Sequence, residues 1–281
     1  LRQNSTSGLG QGSFLVWVCF PVPDMANLSS LFMGHPESSE IVTKSSSQPI
    51  QSRCSPILTP LAYFLGQRFV VPFYFGLLEI NGQHHIPSSG PVILAPTHRA
   101  RWDSIILPLA AGRSVTGRDL RFMVTADEVR GVQGWFIRRL GGFPVNVRRP
   151  TISSLRHGID LLLEQEMLVI YPEGNIFRDD QVRRLKPGLA RIALQAEASK
   201  PNLNVQVLPV DLYYGEAYPS RGCSVEVCFG QPIAVQDYLQ GQTNPEAVKS
   251  GAQALTHDLQ NSLTAMVERR QGALEPMTSV F

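Results

Sequence analysis

Two side chains of this 281-residue sequence are spaced for proton-transfer chemistry, His98 and Asp103, within Thr97-His98-Arg99-Ala100-Arg101-Trp102-Asp103. An imidazole held at one nitrogen by a carboxylate keeps its other nitrogen free to take a proton from a hydroxyl. Five positions apart on a single α-helix, the two would lie about 140° apart around the axis, so a helix carrying both cannot bring them together. A bend must do it, with His98 in a loop and Asp103 in the first turn of a helix. The plainer reading makes Asp103 a helix N-terminal charge favoured by the dipole; the spacing alone leaves both open.

Three other stretches offer binding groups. Gly142-Phe143-Pro144-Val145-Asn146-Val147-Arg148-Arg149 reads as a strand that delivers two guanidinium groups at its end, the side chain best shaped for phosphate. Tyr171-Pro172-Glu173-Gly174-Asn175 reads as a strand entering a tight turn, and Lys186-Pro187-Gly188 opens a helix. Each also has a bland reading, as a solvated strand edge, a turn or a helix start. The sequence has no Gly-Lys-Ser/Thr phosphate loop, no Gly-x-Ser-x-Gly elbow and no His-Glu-x-x-His pair, which disfavours nucleotide, serine-nucleophile and zinc mechanisms. The remaining histidines, His35, His84, His85, His157 and His257, lack metal-like spacing and read as surface or packing residues.

These residues need a scaffold, and short apolar runs alternate with amphipathic stretches from Gly90 onward. Strands are predicted over 91–95, 121–124, 142–147, 167–171, 205–213 and 224–229, and helices over 104–111, 151–166, 187–198 and about 245–270. Such alternation predicts an α/β fold with a mixed, largely parallel sheet covered by helices. His98 and Asp103 then fall where a strand ends and a helix begins, the address that open α/β sheets give to sites. Hydrophobic residues at 43% and charged residues at 17% fit a globular chain. With 25 Lys and Arg against 23 Asp and Glu, no nucleic-acid partner is expected. The positive charge is concentrated between residues 98 and 190, and 21 of the 25 basic residues are Arg, which suits a small anionic group. Four cysteines with no Cys-x-x-Cys pair point to a reducing compartment and to no metal.

Together the blocks resemble the glycerolipid acyltransferase family over roughly residues 80–231. The likeness rests on His98-x4-Asp103, Gly142 to Arg149, Pro172-Glu173-Gly174 and the apolar-Pro block Val207 to Val210, in the family's order. Two departures stand out: Asn146 and Val147 precede the arginines of the second block, and Asn175-Ile176-Phe177 follow Glu173-Gly174, with Arg178 arriving late. The resemblance implies transfer of a fatty acyl group from a thioester to the free hydroxyl of 1-acylglycerol 3-phosphate, giving phosphatidic acid. The alternatives are glycerol 3-phosphate or another lysophospholipid as acceptor, or a non-catalytic lipid-binding protein on the same fold. It further implies His98 as general base and Asp103 as its orienter, with backbone N–H groups near the helix start after His98 as oxyanion donors. Arg148, Arg149 and Lys186 would bind the acceptor phosphate. Glu173 would position a glycerol hydroxyl or hold an arginine, and Gly174 would let the backbone approach. No cofactor is implied beyond acyl carrier protein or acyl-CoA as the donor, and no metal.

Residues 1–56 read as an N-terminal extension of low order: 1–24 precede the first methionine and match a secretory signal poorly, and 26–56 are rich in Ser and Pro. Residues 57–80 are strongly apolar, but Arg68, Pro60 and Pro72 interrupt them, so a bilayer crossing is not expected. They read as two short helices lying in one leaflet or as an arm packed on the protein's own core. Residues 81–281 read as the acyltransferase domain. Lipid substrates imply a peripheral or monotopic membrane enzyme on the cytoplasmic face.

Overall fold

The sheet is built from runs with three different burial patterns, and those patterns decide which strands are central. The structure is a computed structural model that describes residues 50, 52–146, 150–200 and 202–278. Residues 47–281 form one compact unit; the preceding unit, 1–46, lies outside the described residues and takes with it most of the expected N-terminal extension. In chain order the main elements are α1 (Leu58–Leu65), a π-helical turn (Gly66–Val70), α2 (Val71–Tyr74), β1 (Leu77–Asn81), β2 (Val92–Pro96), α3 (Asp103–Ala111), α4 (Arg113–Thr116) and β3 (Leu120–Thr125). Then come α5 (Gly131–Arg139), β4 (Gly142–Val145), α6 (Ile152–Leu163), β5 (Met167–Val169), α7 (Gly188–Ser199), β6 (Gln206–Tyr214), β7 (Ser224–Phe229), β8 (Ile233–Ala234) and α8 (Pro245–Thr278).

The strand order is β1-β7-β6-β2-β5-β3-β4, with β8 on β6. β6, β2, β5, β3 and β4 run parallel, whereas β7 is antiparallel to β6 and parallel to β1. The sheet is therefore mixed and largely parallel, as the alternation predicts. Central β2 and β5 are buried at every position, which is why they read as unbroken apolar runs, while edge strand β1 alternates exposed and half-buried residues. Pro209, which has no N–H to give a ladder, lies in β6 between the residues paired with β8 (206–207) and those paired with β7 (210–214).

Alternate residues of β2 feed two cores. Val92 and Leu94 pack with α3 residues Ile106, Leu107 and Ala110; Ile93 and Ala95 pack with Leu162 of α6, Ile192 and Ala193 of α7, and Leu255 and Leu259 of α8. Helices thus cover both faces.

The segment expected as an apolar arm over 57–80 is helical only to Tyr74. Residues 77–81 are β1, paired with β7, so the sheet takes up the last part of the expected arm. The helical part has two unlike faces, one packed on the core and one exposed and apolar. Thr59, Gly66, Val71 and Phe75 are buried, whereas Leu61, Phe64, Phe69 and Phe73 are exposed, as is Ile57 just before α1. Among the described residues no helix is long and apolar enough to cross a membrane.

Candidate active site

β2 ends at Pro96, and Thr97 carries on along β6, its N–H donating to Val210 O at 2.9 Å and its Oγ1 accepting from Leu212 N at 2.9 Å. The loop that follows turns back, and α3 begins on Asp103 itself. This bend brings the imidazole and the carboxylate together: His98 Nδ1 lies 2.8 Å from Asp103 Oδ2. The same oxygen accepts the N–H groups of Arg99 at 2.8 Å and Ala100 at 3.1 Å, and the other, Oδ1, accepts the Tyr214 hydroxyl at 2.7 Å. Asp103 is fully buried, and these four donors compensate for the loss of water around its charge. It occupies the first turn of α3, yet its oxygens point back at the loop, so it acts as far more than a helix N-terminal charge.

The bond to Asp103 fixes Nδ1 as the protonated nitrogen of the neutral ring and leaves Nε2 without a partner among the described residues, on a side chain 19% exposed. The ring stacks on Tyr171, centroids 3.9 Å apart at 22°. Burial, and secondarily the Asp103 charge, pushes the Tyr171 phenol well above its ordinary range, and Tyr214 is raised for the same two reasons. Both remain neutral phenols at physiological pH, and Tyr214 is therefore a donor to Asp103.

Glu173, expected to position a glycerol hydroxyl or to hold an arginine, is held within the protein. It is 2% exposed and both oxygens are occupied: Oε1 accepts His98 N–H at 3.2 Å and lies 3.5 Å from Arg99 Nη1, and Oε2 accepts Arg183 N–H at 3.1 Å. Of the two roles read from the sequence, holding an arginine is the one the geometry meets. Burial raises the Glu173 carboxyl above its ordinary range, with Arg99 as the main opposing influence. Arg99 Nη1 also donates to Phe177 O at 3.2 Å, and Phe177 N–H returns to His98 O at 2.9 Å. The His98 loop and the loop after Glu173 are thus fastened to each other.

The amides of residues 98, 99 and 100 are committed to Glu173 and Asp103, so these three are not free to receive a developing negative charge, and the expectation of donors near the start of α3 does not rest on them. Gly174 has φ +73°, the left-handed region that favours glycine, and the Lys186 side chain lies close over it, its Nζ 2.6 Å from where a Cβ would stand. Lys186 is exposed, and its N–H donates to Pro172 O at 2.8 Å. Its ammonium therefore lies over the Pro-Glu-Gly turn. The late-arriving Arg178 stacks over Tyr218 at 4.5 Å. Arg148 and Arg149 lie outside the described residues, as does Val147, the end of the strand expected over 142–147.

Beneath the site is an ion network that the sequence pattern did not disclose. Asp211 of β6 accepts from Thr97 Oγ1 at 3.3 Å and from Arg270 Nε of α8 at 2.9 Å, while Arg270 Nη1 and Nη2 reach Asp180 in the loop after Glu173 at 3.0 and 2.5 Å. The partners lie 59 and 90 positions from Arg270, so no local motif could reveal them. Tyr214 was missed for the same reason, being 111 positions from Asp103. Among the described residues no group of three or more His, Cys, Asp or Glu is placed to hold a metal ion.

Comparison with known proteins places this geometry among relatives. The acyltransferase family matches residues 77–213. The 1-acyl-sn-glycerol-3-phosphate acyltransferase of Streptococcus pneumoniae is 25% identical over 215 residues, covering 69% of this chain and 74% of that protein. The mitochondrial glycerol-3-phosphate acyltransferase 1 of Mus musculus is 25% identical over 192 residues, which span 54% of this chain but only 23% of that longer protein. Among solved structures, the 1-acyl-sn-glycerophosphate acyltransferase PlsC from Thermotoga maritima superposes with a TM-score of 0.56 at 19% identity, covering 76% of this chain and 80% of the other, a likeness of fold.

Proposed function

Through residues 77–213 this chain is a member of the acyltransferase family, and from that premise we propose that it moves a fatty acyl group from a thioester to the free hydroxyl of 1-acylglycerol 3-phosphate, giving phosphatidic acid. The observation that carries the reading is the His98–Asp103 pair: Nδ1 tied to a buried carboxylate, Nε2 without a partner among the described residues. In the reaction Nε2 takes the acceptor's hydroxyl proton as its oxygen attacks the thioester carbonyl, and Asp103 stabilises the imidazolium that forms. The tetrahedral intermediate then collapses with loss of the thiolate, which receives the proton from Nε2. The bond made is the ester, the bond broken is the thioester, and no acyl-enzyme intervenes.

Arg148, Arg149 and Lys186 are the cations proposed for the acceptor phosphate, with Lys186 supported by its place over the Gly174 turn. Acyl carrier protein or acyl-CoA is the proposed donor. The exposed apolar face of the 57–74 segment, with Arg68 beside it, supports a peripheral or monotopic enzyme reaching its lipid from the cytoplasmic face of a membrane without crossing it.

A second reading, glycerol 3-phosphate as acceptor, is favoured by the names of several relatives. Purified protein supplied with labelled acyl-CoA or acyl carrier protein and a panel of phosphorylated acceptors decides between them. Label appearing in phosphatidic acid supports the first reading and label in 1-acylglycerol 3-phosphate the second. Failure to acylate any acceptor with either donor would discard both.

A further inference from the structure

We propose that α5 makes a second contact with the lipid surface, separate from the 57–74 segment, with Val132 and Trp135 entering the headgroup boundary and Arg138 and Arg139 meeting anionic headgroups. The proposal rests on the reading of this chain as an enzyme of lipid substrates. α5 has one inward side, fixed by Gly134, where a Cβ would sit 2.4 Å from the Val129 backbone. Val132, Trp135 and Arg139 follow at i, i+3 and i+7 and so form one stripe on the helix. The stripe faces solvent: Val132 is 73% and Trp135 is 44% exposed, and the Arg139 guanidinium lies 3.9 Å from the Trp135 ring centre.

An exposed aliphatic side chain, an exposed indole and an arginine on one helix stripe, with exposed Arg138 flanking it, are the chemistry of a bilayer interface, where the ring's amphipathic character and long cationic stems are both accommodated. Neither Arg138 nor Arg139 has an acidic partner among the described residues, whereas the acids just before the helix, Asp127 and Glu128, are paired with Arg130 and Arg101. This leaves a local positive charge complementary to anionic lipid. The C-terminal end of α5 also adjoins the start of the preceding helices, which carry the other exposed apolar face. Arg53 N–H donates to Arg138 O at 3.1 Å, Ser55 N–H to Arg139 O at 2.8 Å and Thr59 Oγ1 to Arg139 O at 3.4 Å, which sets the end of α5 against the chain on either side of exposed Ile57. An acidic protein partner would use the arginines but leave Val132 and Trp135 without a purpose.

The test uses the full chain with vesicles of phosphatidylcholine alone, or mixed with phosphatidylglycerol, including brominated phospholipid. Wild-type tryptophan emission should be quenched by the brominated lipid, and Trp135→Phe should remove that quenched component while keeping most of the binding. The double variant Val132→Ser/Trp135→Ser should bind both vesicle types at least about ten-fold more weakly. Arg138→Gln/Arg139→Gln should weaken binding to anionic vesicles by roughly five-fold per arginine and abolish the preference for them. All variants should turn over a short-chain acceptor and donor dissolved as monomers at the wild-type rate, which shows that they are folded. Wild-type vesicle binding by both double variants, or no quenching of Trp135, overturns the proposal. So does loss of acyl carrier protein binding in the arginine variant with vesicle binding unchanged, which would assign the patch to a protein. Vesicle binding that behaves as stated in a protein with no transfer activity would instead sink the proposed reaction and leave the contact standing.

Discussion

Asp103 is a carboxylate with no exposure to water, held by one side-chain ring, two amides and one phenol. Its usefulness lies in that immobility, since an orienting group that can rotate cannot keep Nδ1 as the donor. The Tyr214 hydroxyl is the member of this set that comes from another strand, and it is the one that stops Oδ1 from turning. Loss of a hydrogen bond to a buried charged group costs about 1.5–3 kcal/mol. Tyr214→Phe should therefore lower kcat by roughly ten-fold or more, with the KM of donor and acceptor nearly unchanged, as measured by steady-state transfer. An effect on KM alone would show that Tyr214 contacts substrate and does not position the pair. At this scale the sequence disclosed His98 and Asp103 because both sit in one loop, and it singled out Glu173 while leaving open whether it meets substrate or holds an arginine. It did not disclose Tyr214, whose approach to Asp103 depends on β6 reaching past the end of β2.

The elements that hold the site are two loops fastened to each other and anchored from below by α8. Arg270 is 8% exposed and ties Asp211 of β6 to Asp180 of the loop after Glu173. Arg270→Ala leaves Asp211, 2% exposed, without its cation, and a broken buried pair costs about 3–5 kcal/mol. Chemical denaturation should show a loss of that size, and a change within experimental error would contradict the clamp. Burial pushes the Asp180 carboxyl up, but the hydrogen bonds from Arg270 and Gln271 outweigh it and hold the group below its ordinary value. A depressed folded value means that Asp180 contributes stability above its unfolded pKa of about 3.9 and loses it as pH falls through the lower folded value. The stability gap between wild type and Asp180→Asn should hold steady above about pH 5 and close on further acidification. The strands β2, β5, β6 and β7 were legible because parallel strands buried on both faces, and an antiparallel strand buried on one, leave distinct patterns. β1 was read into the apolar arm because its apolar residues Leu77, Leu78 and Ile80 continue the run, although Gly76 marks the break between helix and strand. α5 left no clear trace because its inward side is a glycine, and packing through backbone produces no apolar periodicity.

Across the whole molecule, the buried side of the 58–74 helices reaches the site through aromatic contacts. Tyr74 and Phe75 pack on Trp102, the residue before Asp103, at 4.4 and 5.2 Å between ring centres, and Phe75 lies 6.1 Å from Tyr214. The helices whose outer face carries Leu61, Phe64, Phe69 and Phe73 are thus braced against the residues that hold the Asp103 carboxylate. On the proposed reading, a lipid surface on that face and an acceptor hydroxyl at His98 are parts of one arrangement, which separate sequence blocks cannot express. All of it depends on Nε2 of His98 taking a proton from the acceptor. The most direct measurement is the rate of acyl transfer by His98→Ala with saturating donor and acceptor, alongside its melting temperature and vesicle binding. A fall of about 10²-fold or more, with folding and lipid binding preserved, is the predicted result. Transfer at the wild-type rate by that variant would contradict the account.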